Sequence, residues 1–145
     1  MDEKRTILFV DDEEKVLKSL QRGLLDESYH CLFASGGKQA LDLLEQQTVH
    51  VICADLRMPG MTGLELLMIV KARYPHTVRL ALSGYAQAAT FLPGPNQSEV
   101  LRVVAKPWEW EPLKSVLREA IEQYDLQASC PSHRAMSTQE EKPGT

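Results

Sequence analysis

"VICADLRMPG" occupies Val51–Gly60. Four apolar residues run straight into an aspartate, and a Met-Pro-Gly turn closes the stretch after Arg57. A continuous apolar run bounded by a turn signal reads as a strand covered on both faces, whereas a strand with one wet face alternates. Asp55 stands at the end of that strand. A carboxylate there is either solvated at the sheet edge or has chemistry to perform, and the neighbours that reach the same edge decide which.

The same pattern recurs on both sides. "TILFV" (6–10) and "YHCLFA" (29–34) precede the 50–56 run, and "TVRLALSG" (77–84) and "EVLRVVAKPW" (99–108) follow it. Between them lie segments of helical period. Val16, Leu17, Leu20 and Leu24 recur on one face after strand one, and Ala40, Leu43 and Leu44 after strand two. "LELLMIVKARY" runs up to Pro75, which stops it. "WEPLKSVLREAIEQYDLQ" supplies the last helix, with Pro112 in its first turn. Five strands alternating with helices predict an α/β domain: a doubly wound parallel sheet with helices on both faces and right-handed crossovers. The fourth helix is the exception. "AQAATFLPGPNQ" (86–97) holds Pro93, Gly94 and Pro95, so a short or irregular helix is expected there.

Size and composition bound the function. The 145 residues suit one domain, and the net charge of −4 argues against a general nucleic-acid surface. No apolar run approaches the ~20 residues of a membrane span. The start lacks the ~7–15 apolar residues of a secretory signal, so a cytoplasmic protein is expected. Cys31, Cys53 and Cys130 have no zinc spacing; the first two read as small buried hydrophobes. Met58, Met61 and Met68 read as core fillers or turn residues. Residues 1–127 are expected to form the domain, and the polar, aperiodic stretch 128–145 a disordered tail or the start of a linker.

In a parallel α/β sheet the carboxyl ends of the strands share one edge, where ligands bind. Strand one delivers Asp11 and Asp12 there, strand three Asp55, strand four Ser83 and strand five Lys106. If the chain order reverses after strand one, strands one, three and four are central neighbours and these groups converge. Each has a plain reading alone: a helix cap, a solvated strand end, a turn serine, a surface lysine. Together, three carboxylates need a cation, and hard oxygen donors suit Mg²⁺. A carboxylate beside such an ion and a lysine can accept a phosphoryl group.

With "VDDE", "DLRMPGMTGLELL", "LSGY" and "KPW" at successive strand ends, the chain from about 5 to 127 resembles a response-regulator receiver domain of two-component signalling. The resemblance implies a CheY-like, flavodoxin-like sheet of order 2-1-3-4-5. It implies phosphorylation on Asp55, with Asp11, Asp12, Asp55 and the carbonyl of Arg57 holding Mg²⁺. Ser83 matches the switch hydroxyl and Lys106 the lysine that contacts the phosphoryl group. The Lys106–Pro107 bond is usually cis in such domains. The implied partners are a histidine kinase or phosphotransfer protein and a downstream output domain or protein; a homodimer is left open, and neither direct nucleic-acid binding nor a membrane is implied. Such a module is not an enzyme beyond catalysing its own phosphoryl transfer and dephosphorylation.

Three features depart from the pattern. Val103 stands where receivers commonly carry Tyr or Phe, and valine has no ring to swing; Tyr85 and Trp108 are the nearby candidates for a surface reporter. The Pro-broken fourth helix implies an altered output face. Arg57 and Tyr85 flank the path of attacking water, which predicts a long-lived phosphoryl group. "KPW" with the acidic-aromatic residues after it is similar to receivers that precede HD-GYP phosphodiesterase or other large output domains. Two other readings compete. A Mg²⁺-dependent phosphatase with an aspartyl-phosphate intermediate would need a second Asp two positions on, where Arg57 and Glu14 stand instead. A phosphorylation-independent binding scaffold would keep the fold without the chemistry. A DNA-binding output finds no basic helix-turn-helix segment after residue 127.

Overall fold

A computed structural model describes residues 4–84 and 102–129. The elements are β1 (Thr6–Val10), α1 (Glu14–Gly23), β2 (His30–Ala34), α2 (Gly37–Gln46), β3 (Val51–Asp55), α3 (Gly63–Arg73), β4 (Val78–Gly84), β5 (Arg102–Lys106) and α4 (Trp110–Ser129). The expected fourth helix at 86–97, and Tyr85 and Cys130 with it, lie outside the described residues. All strand pairs are parallel, in the order β2-β1-β3-β4-β5, so the order reverses after β1 as expected.

The continuous apolar runs follow from a sheet covered on both sides. Leu8 and Val10 of β1 join Ile52, Ala54 and Ala81 under α2 and α3, where Ala40, Leu44, Leu66, Leu67 and Val70 meet them. Their strand neighbours Ile7 and Phe9 point the other way, with Val51, Cys53, Leu80 and Leu82, onto Leu20 of α1 and Leu113 and Leu117 of α4. Every residue of β1 and β3 is buried. Phe9 stacks on Phe33 with ring centres 5.7 Å apart.

Glycine lets α1 meet α4. A Cβ on Gly23, the last residue of α1, would lie 2.2 Å from the Trp110 ring, so that ring rests directly on the helix end. At the opposite edge from the strands' carboxyl ends, His50 Nδ1 accepts the Thr6 N–H at 2.9 Å, and Arg5 pairs with Asp125 at 2.8 Å. β5 stops at Lys106, where Pro107 has no N–H to continue the ladder. The Lys106–Pro107 bond is cis. α4 continues through Ser129, two residues into the stretch expected to be tail; residues 130–145 lie outside the described residues.

The thiols of Cys53 and Cys31 are pushed up, to about 12 and about 11, chiefly by burial. Both stay protonated at neutral pH, as structural cysteines do. Met58 is buried and Met61 packs on the α2–α3 side of the core. Met68 departs from expectation: it is 52% exposed on α3 and fills no core. No helix among the described residues is long and apolar enough to cross a membrane.

The start of α3 is fixed by a capping box. The Thr62 hydroxyl accepts the Glu65 N–H at 3.1 Å, and the Glu65 carboxylate accepts the Thr62 N–H at 2.9 Å. Two otherwise orphaned donors are satisfied. Thr62→Ala is expected to cost about 1 kcal/mol of unfolding free energy, read as a lower urea midpoint with unchanged slope; an unchanged midpoint would mean the box adds nothing.

Candidate functional site

β1 and β3 are neighbours in register, Val10 opposite Ala54. The next residue on each strand is therefore Asp11 and Asp55, side by side at the sheet's carboxyl edge. Asp11 is fully buried; its N–H donates to the Ala34 carbonyl at 3.1 Å, and its Oδ1 accepts the Glu13 N–H at 2.9 Å. Asp55 is 6% exposed and its Oδ1 accepts the Arg57 N–H at 3.2 Å. Asp12 is exposed above them. One carboxylate oxygen from each of Asp11, Asp12 and Asp55 lies within 4.8 Å of the others. Neither Asp11 nor Asp12 is the cap residue of α1: that is Glu13, which makes no side-chain capping bond and whose own N–H is the one Asp11 accepts.

Lys106 comes from two strands away. It is paired in register with Gly84 of β4, and its long side chain reaches back across the edge. Its Nζ lies 2.8 Å from Asp11 Oδ2 and 3.3 Å from Asp55 Oδ2. Ser83 is fully buried at the same edge, one residue beyond Leu82, which pairs with Asp55. Its hydroxyl donates to the Gly84 carbonyl at 3.2 Å. Arg57 is exposed and, with Asp12, Leu56, Met58, Pro59 and Thr62, lines an open depression of about 560 Å³ beside Asp55. Gly60 in the turn below it has φ +77°, which suits glycine.

The charges are strained in one direction. Burial and then the Asp11 charge raise the Asp55 carboxyl above its usual range, and the Arg57 N–H and Lys106 only partly offset this. Burial disfavours the Lys106 ammonium, but its hydrogen bond to Asp11 and the charges of Asp11 and Asp55 outweigh that and hold it above an ordinary lysine. Three carboxylates against one ammonium leave a surplus of negative charge in an all-oxygen donor set. That set is able to hold a hard cation.

The geometry thus brings Asp11, Asp12, Asp55 and Lys106 together, with Ser83 and Arg57 beside them. Sequence reasoning missed Gly63, on whose position a Cβ would lie 2.0 Å from the Asp55 carbonyl oxygen. The signal was present as a glycine opening the helix after the Met-Pro-Gly turn.

The model of the family described as response regulator receiver domain matches residues 7–118. The chain belongs to that family. As a receiver domain it is a module of two-component signalling. The hydrogenase transcriptional regulatory protein HoxA of Cupriavidus necator is 39% identical to the receiver over 126 residues, 87% of this chain and 26% of that protein. The DNA-binding transcriptional regulator NtrC of Escherichia coli is 27% identical over 118 residues, 81% of this chain and 25% of that one. The receiver spans about a quarter of the length of these curated relatives. Among solved structures, the signal receiver domain of an HD domain-containing protein from Pseudomonas fluorescens Pf-5 superposes with a TM-score of 0.79 at 32% identity, covering 85% of this chain and 98% of that one. A chain of adenylate cyclase from Rhodopirellula baltica gives 0.82 at 29%, covering 94% and 100%.

Proposed function

We propose that Asp55 is the phosphoacceptor of this receiver and that Asp11, Asp12, Asp55 and the Arg57 carbonyl hold Mg²⁺. What supports this most is the meeting of three carboxylates within 4.8 Å with Lys106 seated against two of them. Mg²⁺, when bound, neutralises the oxygens of the entering phosphoryl group. An Asp55 carboxylate oxygen forms the new O–P bond as the N–P bond of a phosphohistidine breaks, and the imidazole leaves with the electron pair. Lys106 turns from Asp11 to a phosphoryl oxygen, and Ser83 donates its hydroxyl to another. The donor is a histidine kinase or phosphotransfer protein, and the receiver passes the signal to an output domain or protein in the cytoplasm. Arg57 shields the acyl phosphate from water, which lengthens its lifetime.

The test is intact-mass spectrometry with a small acyl phosphate. With Mg²⁺ the wild type gains one phosphoryl group, mapped by peptide analysis to Asp55, and a chelator prevents it. Uptake that ignores the chelator, or a phosphoryl group on another residue, defeats the proposal.

A further inference from the structure

We infer that Gly63 is a positioning residue for phosphoryl transfer: it lets the first turn of α3 rest on the Asp55–Leu56 peptide, and so fixes the Asp55 carboxylate and the loop that carries Arg57. The inference rests on the reading of Asp55 as the phosphoacceptor.

A Cβ at Gly63 would lie 2.0 Å from the Asp55 carbonyl oxygen, 2.7 Å from the Asp55 carbonyl carbon and 2.7 Å from Leu56 Cα. All three are backbone atoms, and none can rotate aside. The Gly63 N–H also donates to the Leu56 carbonyl at 3.2 Å, so helix and strand end are joined at this point. Gly63 does not have the positive φ that Gly60 has, so its requirement is one of space, not of backbone conformation. Relief of the clash to an ordinary separation of about 3.5 Å demands a shift of more than about 1 Å.

That shift has few places to go. α3 is held at its start by the Thr62–Glu65 box and along its length by Leu66, Leu67 and Val70 in the core. Loop 56–62 is held from the other side by Met61, which rests against Gly37 at the start of α2. What is left to move is the Asp55–Leu56 peptide, whose N–H donates to the Leu82 carbonyl at 3.0 Å and which carries the carboxylate itself. Gly37 gives a built-in contrast: a Cβ there would lie 2.6 Å from Met61 Sδ, a flexible side chain that can move away.

Three variants make the test: Gly63→Ala, Gly37→Ala and, as a control for stability alone, Val70→Ala at a fully buried α3 position. Mg²⁺ affinity by calorimetry and the rate of phosphorylation by a small acyl phosphate are measured where circular dichroism shows each variant folded. Gly63→Ala is expected to weaken Mg²⁺ binding at least tenfold and to slow phosphorylation on the order of 100-fold, the scale of a 1 Å misplacement. Val70→Ala, although destabilised, and Gly37→Ala stay within about twofold of wild type in both, the scatter expected of a site left in place. Wild-type behaviour of folded Gly63→Ala, or equal losses in Val70→Ala, overturns the inference. Should Gly63→Ala fail to fold in buffer, trimethylamine N-oxide is added to restore folding; folding without Mg²⁺ affinity supports the inference, and recovery of both overturns it. A wild type that takes no phosphoryl group on Asp55 overturns the underlying reading as well, whereas a phosphorylated wild type matched by Gly63→Ala overturns this inference alone.

Discussion

Asp55→Asn is expected to abolish phosphoryl uptake, by a factor of at least about 1,000 in rate, or about 4 kcal/mol of barrier, while the fold stays intact. In the proposed reaction the carboxylate oxygen is the nucleophile, and an amide offers none of comparable strength. The amide oxygen can still accept the Arg57 N–H that Asp55 Oδ1 accepts at 3.2 Å, so the local turn survives. The same variant has a second readout. Burial and the neighbouring Asp11 raise the Asp55 carboxyl above its unfolded value. A raised folded-state carboxyl contributes most below its unfolded pKa and loses that contribution as pH rises through the folded one. In chelator at pH 7, Asp55→Asn is therefore expected to melt above wild type, and the gap to close as pH falls through the raised Asp55 value. Thermal melts across that range check it; a variant less stable than wild type at pH 7 would mean that the carboxylates do not repel.

Lys106→Met has the second-largest expected effect, and it acts in opposite directions on two properties. The ammonium stands 2.8 Å from Asp11 and 3.3 Å from Asp55, where it serves as the cluster's internal cation. Methionine keeps the stem and removes the charge. Asp11, fully buried, then loses its ion pair. Breaking a buried pair costs about 3–5 kcal/mol, and the metal-free protein is expected to lose most of that in a denaturant melt. Divalent-ion affinity is expected to rise about tenfold, because no ammonium competes for the carboxylates. Phosphorylation is expected to slow by about 100- to 1,000-fold, the usual cost of removing a group that stabilises developing charge. Calorimetry with Mg²⁺ and phosphorylation kinetics separate the two; a parallel fall in affinity and rate would show that Lys106 supports the metal instead of competing with it.

Most of the fold was legible because its causes are local. Strands covered on both faces must be apolar along their length, and β1 is so from Ile7 to Val10 and β3 from Val51 to Ala54. The meeting of these side chains was legible for a related reason: topology carries Asp11, Asp55 and Lys106 to one edge once strands and their order are known. What sequence left hidden depends on direction and distance. In "LELLMIV" nearly every position is apolar, so nothing marks which residue turns outward, and Met68 was misplaced for that reason. Lys106 was expected beside the phosphoacceptor, but its double pairing with Asp11 and Asp55 is a matter of ångströms. Gly63 touches a backbone atom eight residues earlier, across a loop whose path no periodicity records. The Thr62–Glu65 box, by contrast, follows a readable Thr-x-x-Glu spacing that went unused.

The most direct measurement is a crystal structure of the chain grown with Mg²⁺ and beryllium fluoride. Beryllium is expected on a carboxylate oxygen of Asp55, with the cation held by Asp11, Asp12, Asp55 and the Arg57 carbonyl, and both Lys106 and Ser83 within hydrogen-bond reach of fluorine. Beryllium on Asp11 or Asp12, or a cation bound away from this edge with Asp55 still paired to Lys106, would contradict it.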